Sequence, residues 1–141
     1  MISTKGRYSI RILLDLAEHR NGEFIPMKEV AGRQGISLKY IERLMPALKA
    51  AGLVESVHGI GGGYRLTRQP EEYTLWEILV LAEGDLAPVA CLQPEAAVCD
   101  RAGECRTLGV WQGDYDLTRD YFSRITLADL MNVPAGDNYV I

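Results

Sequence analysis

The residues of this 141-residue chain best suited to chemistry are its three cysteines, all held within the stretch CLQPEAAVCDRAGEC, residues 91 to 105. Thiolates ligate metals and undergo oxidation, and an odd number of them argues against a structural disulfide framework. The spacing is Cys91-x7-Cys99-x5-Cys105. It lacks the Cys-x2-Cys pairs of zinc ribbons and the Cys-x-x-Cys of thioredoxin-like centres. The intervals are too loose for a regular helix, and the Pro, Gly and Asp content predicts a loop. Thiolates converging from a loop suit an iron–sulfur cluster. From the residues alone, a zinc site, a thiol redox switch and simple packing stand beside that reading. The only histidines are His19 and His58, so there is no histidine–carboxylate–nucleophile set and no enzyme is expected. His19, at the end of a helical pattern, reads as a partner of the helix dipole.

The elements that must position these thiols divide by charge. Residues 1 to 70 carry 11 Lys/Arg against 6 Asp/Glu, a balance of +5, whereas residues 71 to 141 carry 4 against 13, a balance of −9. The first half can approach a polyanion and the second is repelled by one. Apolar residues make up 48% of the chain, enough for one compact core with an appended arm. No charged lead followed by a long apolar run opens the sequence, and no stretch approaches membrane-spanning length. The expectation is a cytoplasmic protein with no membrane partner.

In the basic half, STKGRYSIRILLDLAEHRNG places Tyr8, Ile12, Leu13 and Leu16 at helical spacing and stops at Asn21-Gly22. A second helix starts beside Pro26 and carries Met27, Val30 and Ala31 on one side. Gly35 interrupts it, and Ser37 caps a third helix with expected buried positions Leu38, Ile41, Leu44, Ala47 and Leu48, ending at Gly52. Two helices joined by a short turn with glycine match the helix-turn-helix unit. LVESV and YRLTR then alternate as strands around HGIGGG, which completes a winged helix-turn-helix. In that architecture the third helix lies in the major groove and the hairpin tip reaches a minor groove. The expected DNA contacts are Ser37, Lys39, Tyr40, Glu42 and Arg43 on the helix, with Lys5, Arg7 and Arg65 on phosphates. His58, Gly59, Ile60, Gly61, Gly62 and Gly63 form the expected wing tip. The glycine run is not a nucleotide loop, because no Gly-Lys-Ser/Thr follows it.

In the acidic half, Thr74-Leu75-Trp76-Glu77 has the pattern of a capping box and opens a helix that runs to about Glu83, closed by Gly84. Beyond the cysteines, Leu108, Trp111, Tyr115, Thr118, Phe122 and Ile125 recur at alternating intervals of three and four. That is an a/d seam, read as the interface of a homodimer, with packing on the chain's own body as the other use of such a stripe. Thr126-Leu127-Ala128-Asp129 caps one more short helix, free in principle to pack on the partner's winged domain. The tail NVPAGDNYVI carries no readable role.

Three stretches carry a family resemblance: STKGRY, VAGRQGISLKYIERLMPALKAAGLVESVHGIGGGYRL, and ITLADLM. They resemble the IscR/NsrR/CymR group of bacterial winged-helix regulators from residue 2 to about residue 131. The resemblance implies a homodimer with a long crossing helix that acts on promoters. In several branches it also implies an iron–sulfur cluster held by the positions of Cys91, Cys99 and Cys105, as 2Fe-2S or 4Fe-4S, with 2Fe-2S favoured. The biogenesis regulators of the group add a histidine three positions after the third cysteine, where this chain has Leu108. The nitric-oxide sensors add a carboxylate just before the tyrosine of the first helix, where this chain has Arg7. Asp100, Glu104 or an outside thiol are then the candidate fourth ligands. His58 stands where the biogenesis regulators place an arginine for the minor groove, and Ile60 replaces a neighbouring proline. Glu42 matches a recognition-helix glutamate that accepts from cytosine.

The expected fold is therefore mainly α with a small β-hairpin wing. Residues 1–84 form the winged helix-turn-helix, 85–107 the cysteine-bearing sensor loop, 108–132 the dimerisation helix with its short follower, and 133–141 the tail. The expected function is transcriptional regulation at double-stranded promoter DNA, modulated by an iron–sulfur cluster that reports iron–sulfur, redox or nitric-oxide status. A cluster-free regulator of the cysteine-metabolism type, governed by thiol oxidation or a regulatory protein partner, is the alternative. A protein-interaction scaffold built on the same fold is the alternative from another class.

Overall fold

The computed structural model describes residues 1–134. Helix α1, Thr4–Glu18, presents Ile12, Leu13 and Leu16 to the core. Helix α2, Met27–Gln34, starts after Pro26, whose fixed φ suits a helix entry, and stops where Gly35 turns to φ +64°. Helix α3, Leu38–Ala50, is capped by the Ser37 hydroxyl, which accepts from the Tyr40 amide at 3.1 Å. Its buried positions are Ile41, Leu44, Met45 and Leu48. Ala47 is exposed, contrary to the sequence expectation, because the buried stripe advances from Leu44 to Met45 and Leu48 and leaves position 47 on the outer side. Pro46 also lies on that outer side, inside the helix.

Strands β1, Val54–Val57, and β2, Gly63–Leu66, pair antiparallel, with Val54 opposite Leu66 and Val57 opposite Gly63. A third segment joins their edge: Ile25 and Tyr64 exchange two backbone hydrogen bonds of 2.8 and 2.9 Å. That close approach requires glycine at position 63, where a Cβ would stand 2.1 Å from the Ile25 carbonyl oxygen. The hairpin is thereby fixed to the entry of α2.

Helix α4, Leu75–Glu83, is capped by Thr74, which accepts from the Glu77 amide at 3.2 Å. The reciprocal half of the expected capping box is replaced: the Glu77 carboxylate takes two hydrogen bonds of 2.9 Å from Arg68. Tyr73, fully buried, donates to the Leu53 carbonyl at 2.6 Å and accepts from the Thr67 and Arg68 amides, so its hydroxyl pins the strands to α4 without a polar debt. Residues 85–107 hold no helix beyond a short 3-10 turn at Ala90–Leu92.

Helix α5, Leu108–Ser123, is followed by α6, Leu127–Met131. Thr126 and Asp129 complete a capping box there. Helix α6, free in principle to pack on a partner, packs on its own chain. Thr126 bridges Thr74, the Leu75 amide donates to the Ile125 carbonyl at 2.9 Å, the Leu127 amide donates to the Tyr73 carbonyl at 3.1 Å, and Leu127 is fully buried. A buried leucine and two backbone bonds outweigh the freedom of a dangling helix. One core thus joins α1, α2, α3, the first strand, α4 and α6. The tail lies outside the described residues from position 135 onward.

Candidate DNA-binding face and cysteine segment

Helix α3 presents Lys39, Glu42 and Arg43 to solvent, while Ser37 is spent on the cap. Tyr40, expected to face solvent, is half-buried, its ring meeting that of Tyr8 edge-on at 5.6 Å. On α1, Lys5 and Arg7 are exposed, and Arg7 donates to Thr4 Oγ1 at 3.2 Å. At the wing, the Gly62 amide closes a turn on the Gly59 carbonyl at 3.0 Å, with Gly59 at φ +92° and Gly61 at φ +77°. His58, Gly59, Ile60 and Gly61 are exposed, and Gly62 and Gly63 partly so. A cleft of about 290 Å³ runs between α3 and the wing, lined by Glu42 on one side and by Val57, His58 and Gly62 on the other. The recognition-helix glutamate and the wing tip therefore flank one surface.

Arg65, an expected phosphate contact, has partners within the chain. Arg65 stands opposite Glu55 in the strand register and pairs with it, donates to the Gly22 carbonyl at 3.0 Å, and lies 4.2 Å from the Phe24 ring centre. Its guanidinium, still 41% exposed, links the hairpin to the loop before α2.

Two carboxylates that sequence reading passed over hold this face in place. Asp15 is 1% exposed on α1. It accepts from Arg33 through both Nε and Nη2, the shortest contact 2.7 Å, and from Gln34 Nε2 at 2.9 Å. The paired carboxylate holds the Arg33 guanidinium above its ordinary range by hydrogen bonding, against the opposing pull of burial. Arg11 also donates to Gln34, at its side-chain and backbone oxygens, so α1 grips the last turn of α2 beside the helix-turn-helix glycine. The signal was present in the sequence: Asp15 occupies a position of the Ile12–Leu16 stripe where an apolar residue belongs.

Glu83, at the end of α4, accepts at one oxygen from the Ser3 amide at 2.9 Å, the Ser3 hydroxyl at 2.7 Å and the Gly6 amide at 3.1 Å. It caps α1 from across the fold. Burial pushes this carboxyl up, but the Ser3 and Gly6 hydrogen bonds outweigh it and hold it below the usual range.

Cys91, Cys99 and Cys105 are all exposed and unbonded to one another. Cys91 lies in the 3-10 turn, and Cys105 sits three residues before α5, its sulfur 3.5 Å from Thr107 Oγ1. The Thr107 hydroxyl, with the Thr107 and Leu108 amides, draws the Cys105 thiol below its ordinary value. Among the described residues no three His, Cys, Asp or Glu side chains are gathered as a metal site. The thiols fit an iron–sulfur group in donor type and in their placement on an exposed loop. One chain does not draw them together, and Leu108 and Arg7 supply no fourth donor.

The α5 seam divides. Tyr115 donates to both oxygens of Asp85, at 2.9 and 3.0 Å, and its ring lies 6.0 Å from that of Trp76; Phe122 and Ile125 pack on the core. Burial, then Asp85, pushes the Tyr115 hydroxyl above its ordinary value. Leu108 and Thr118 are partly covered and Trp111 is exposed. Tyr115, Phe122 and Ile125 of the expected seam thus have partners within the chain while staying partly exposed. The side left open carries Val110, Leu117 at 73% exposure and Tyr121 at 56%. No helix among the described residues is long and apolar enough to cross a membrane.

Residues 2–133 match the family Rrf2, described as "Iron-dependent Transcriptional regulator". Protein rrf2 of Nitratidesulfovibrio vulgaris is 36% identical over 130 residues, which cover 92% of this chain and 86% of that one. The HTH-type transcriptional regulator IscR of Photorhabdus laumondii is 34% identical over 131 residues, covering 93% and 79%. Among solved structures, CymR, the global cysteine regulator of B. subtilis, superposes with a TM-score of 0.74 at 33% identity, covering 92% of this chain and 95% of that one. The IscR and CymR relatives are named as regulators, as is the family, a non-enzymatic role. The helix-turn-helix, the glycine-rich hairpin wing and a match along nearly the whole described chain lead to one conclusion: the protein belongs to the Rrf2 family of winged-helix transcriptional regulators.

Proposed function

We propose that this protein works as a cytoplasmic homodimer that binds double-stranded promoter DNA through α3 and the wing, and that the segment 85–107 modulates this binding as a sensor. The observation that carries the reading is the shared face on which exposed Lys39, Glu42 and Arg43 stand beside the glycine wing tip. Glu42 accepts from a cytosine amino group, and Lys39, Arg43, Lys5 and Arg7 neutralise phosphates. Two such faces, one per protomer, read two half-sites. The open side of α5, with Val110, Leu117 and Tyr121, supports the homodimer.

Cys91, Cys99 and Cys105 would hold an iron–sulfur cluster, 2Fe-2S in preference to 4Fe-4S, with Asp100, Glu104 or an outside thiol completing the set. When bound, the cluster supplies redox and ligand-exchange chemistry at iron. A change in its occupancy that shifts DNA affinity tenfold requires a difference of about 1.4 kcal/mol between the two states. Anaerobically purified protein tests this through iron and sulfide content and visible absorbance. Colourless, iron-free protein, together with a Cys99→Ala variant of unchanged DNA binding, would reject the cluster.

A second reading within the family has its own support: the thiols are exposed and not gathered, and Cys105 is drawn toward the thiolate. In it the protein is a cluster-free regulator of the cysteine-metabolism type, controlled by thiol oxidation or a partner protein. Iron-free protein whose DNA affinity changes with peroxide favours it. A scaffold that binds an acidic protein instead of DNA would show flat salt dependence with duplex, where a DNA binder loses affinity steeply.

A further inference from the structure

The wing tip is bare backbone around one aliphatic side chain. Of the residues from Gly59 to Gly63, Ile60 alone is not glycine, and it is fully exposed. A single exposed apolar residue is ordinary on a protein surface and means nothing alone. Its setting decides the matter. Gly59 and Gly61 hold positive φ on either side of it, and a Cβ at Gly62 would lie 2.4 Å from the Val57 carbonyl oxygen, so side chains are kept off the tip by the turn itself. The minor groove of B-form DNA is about 6 Å wide, and a strip of glycine backbone can enter it where larger residues would collide.

A guanidinium is the common electrostatic reader of a narrow minor groove. This hairpin has one, Arg65, which stands on β2 opposite Glu55, back from the tip, with partners in Glu55, the Gly22 carbonyl and the Phe24 ring. Across residues 54 to 66 the other basic side chain is His58. The tip can therefore gain little from charge, and what it offers a groove is an unbranched approach with an isoleucine at its end.

We propose that Ile60 is an apolar wedge that enters the minor groove and parts a base step. The proposal rests on the DNA-binding reading above. Isoleucine is among the side chains that unstack a step from the minor groove and kink the duplex toward the major groove. Pyrimidine–purine steps yield at the lowest cost. Ile60 then confers sequence preference at a position where it makes no hydrogen bond, while α3 reads its bases directly.

The test uses the full-length, anaerobically purified protein to select duplexes from a randomised pool, comparing wild type with Ile60→Ala. Wild type should enrich a pyrimidine–purine step at a fixed distance outside the bases read by α3. Ile60→Ala should lose that step alone and bind the wild-type duplex about tenfold more weakly, equivalent to about 1.4 kcal/mol. 2-Aminopurine placed at the step should brighten with wild type and with Ile60→Leu, and stay dark with Ile60→Ala. Equal enrichment and equal fluorescence for wild type and Ile60→Ala would overturn the wedge and leave DNA binding intact. A wild-type protein that enriches no duplex would instead overturn the DNA-binding reading, and the wedge with it.

Discussion

Asp15 is a buried charge with its lone pairs claimed. Its carboxylate is fully covered, whereas the Arg33 side chain that pairs with it remains 32% exposed. Removing the acid strands a guanidinium that water can partly reach, so the loss falls toward the lower end for a broken buried pair. Asp15→Ala should lower unfolding stability by about 3 kcal/mol, read from the shift in the urea midpoint. A loss under about 0.5 kcal/mol would show that the network adds nothing beyond a surface pair. The residue was visible in the sequence as a polar letter in an apolar stripe. Its partners were not, because Arg33 and Gln34 reach it across a helix crossing that no periodicity encodes. The same limit applied to Arg65: its basic character suggested a phosphate contact, and only the strand register reveals Glu55 opposite it.

Among the elements, those with strong local signals were legible: the apolar stripe of α1, the Ser37 cap of α3, the Gly35 turn and the glycine-flanked hairpin all stand where the sequence places them. Contacts between elements were less so. The α5 seam reads as an interface because alternating threes and fours mark any apolar stripe, whether its partner is another chain or the chain's own α4. Tyr115, Phe122 and Ile125 turned inward, and the outer stripe of Val110, Leu117 and Tyr121 is the one that supports self-association. If the proposed dimer forms through this stripe, Leu117→Lys should convert it to monomer in sedimentation velocity while leaving the helical circular dichroism unchanged. An intact dimer would place the interface elsewhere. Helices α4 and α1 are linked through Glu83, whose carboxyl titrates lower in the folded state than in the unfolded chain. Such a group contributes stability above the ordinary carboxylate range, and that contribution is lost as pH falls through the range and below it. Wild type should melt above Glu83→Gln near neutrality, and the gap should narrow steadily as pH falls through and below the ordinary carboxylate range. A gap that does not change with pH would mean that shape, and not charge, makes the cap.

For the molecule as a whole, charge is partitioned along the chain. The balance of +5 in residues 1 to 70 suits approach to a polyanion, and the −9 of residues 71 to 141 disfavours it. Lys39→Ala and Arg43→Ala should each weaken binding of any duplex and reduce the steepness of its salt dependence by roughly one contact per protomer. An unchanged slope would remove those residues from the phosphate set. Helix α5 adds a mechanical property to this division. From Tyr115 onward it is clamped, by Asp85, by Phe122 and Ile125 in the core, and by the backbone bonds that carry the chain into α6. Its first seven residues, Leu108 to Asp114, make no hydrogen bond to the body among the described residues. They form a cantilever about 10 Å long with Cys105 at its tip. A load at the tip is felt as torque at the clamp, and the clamp is Asp85, one residue from Gly84 and two from Glu83, the cap of α1. Within one chain, a displacement at the thiols would therefore meet the body first where Tyr115 binds Asp85, beside the residue that caps α1.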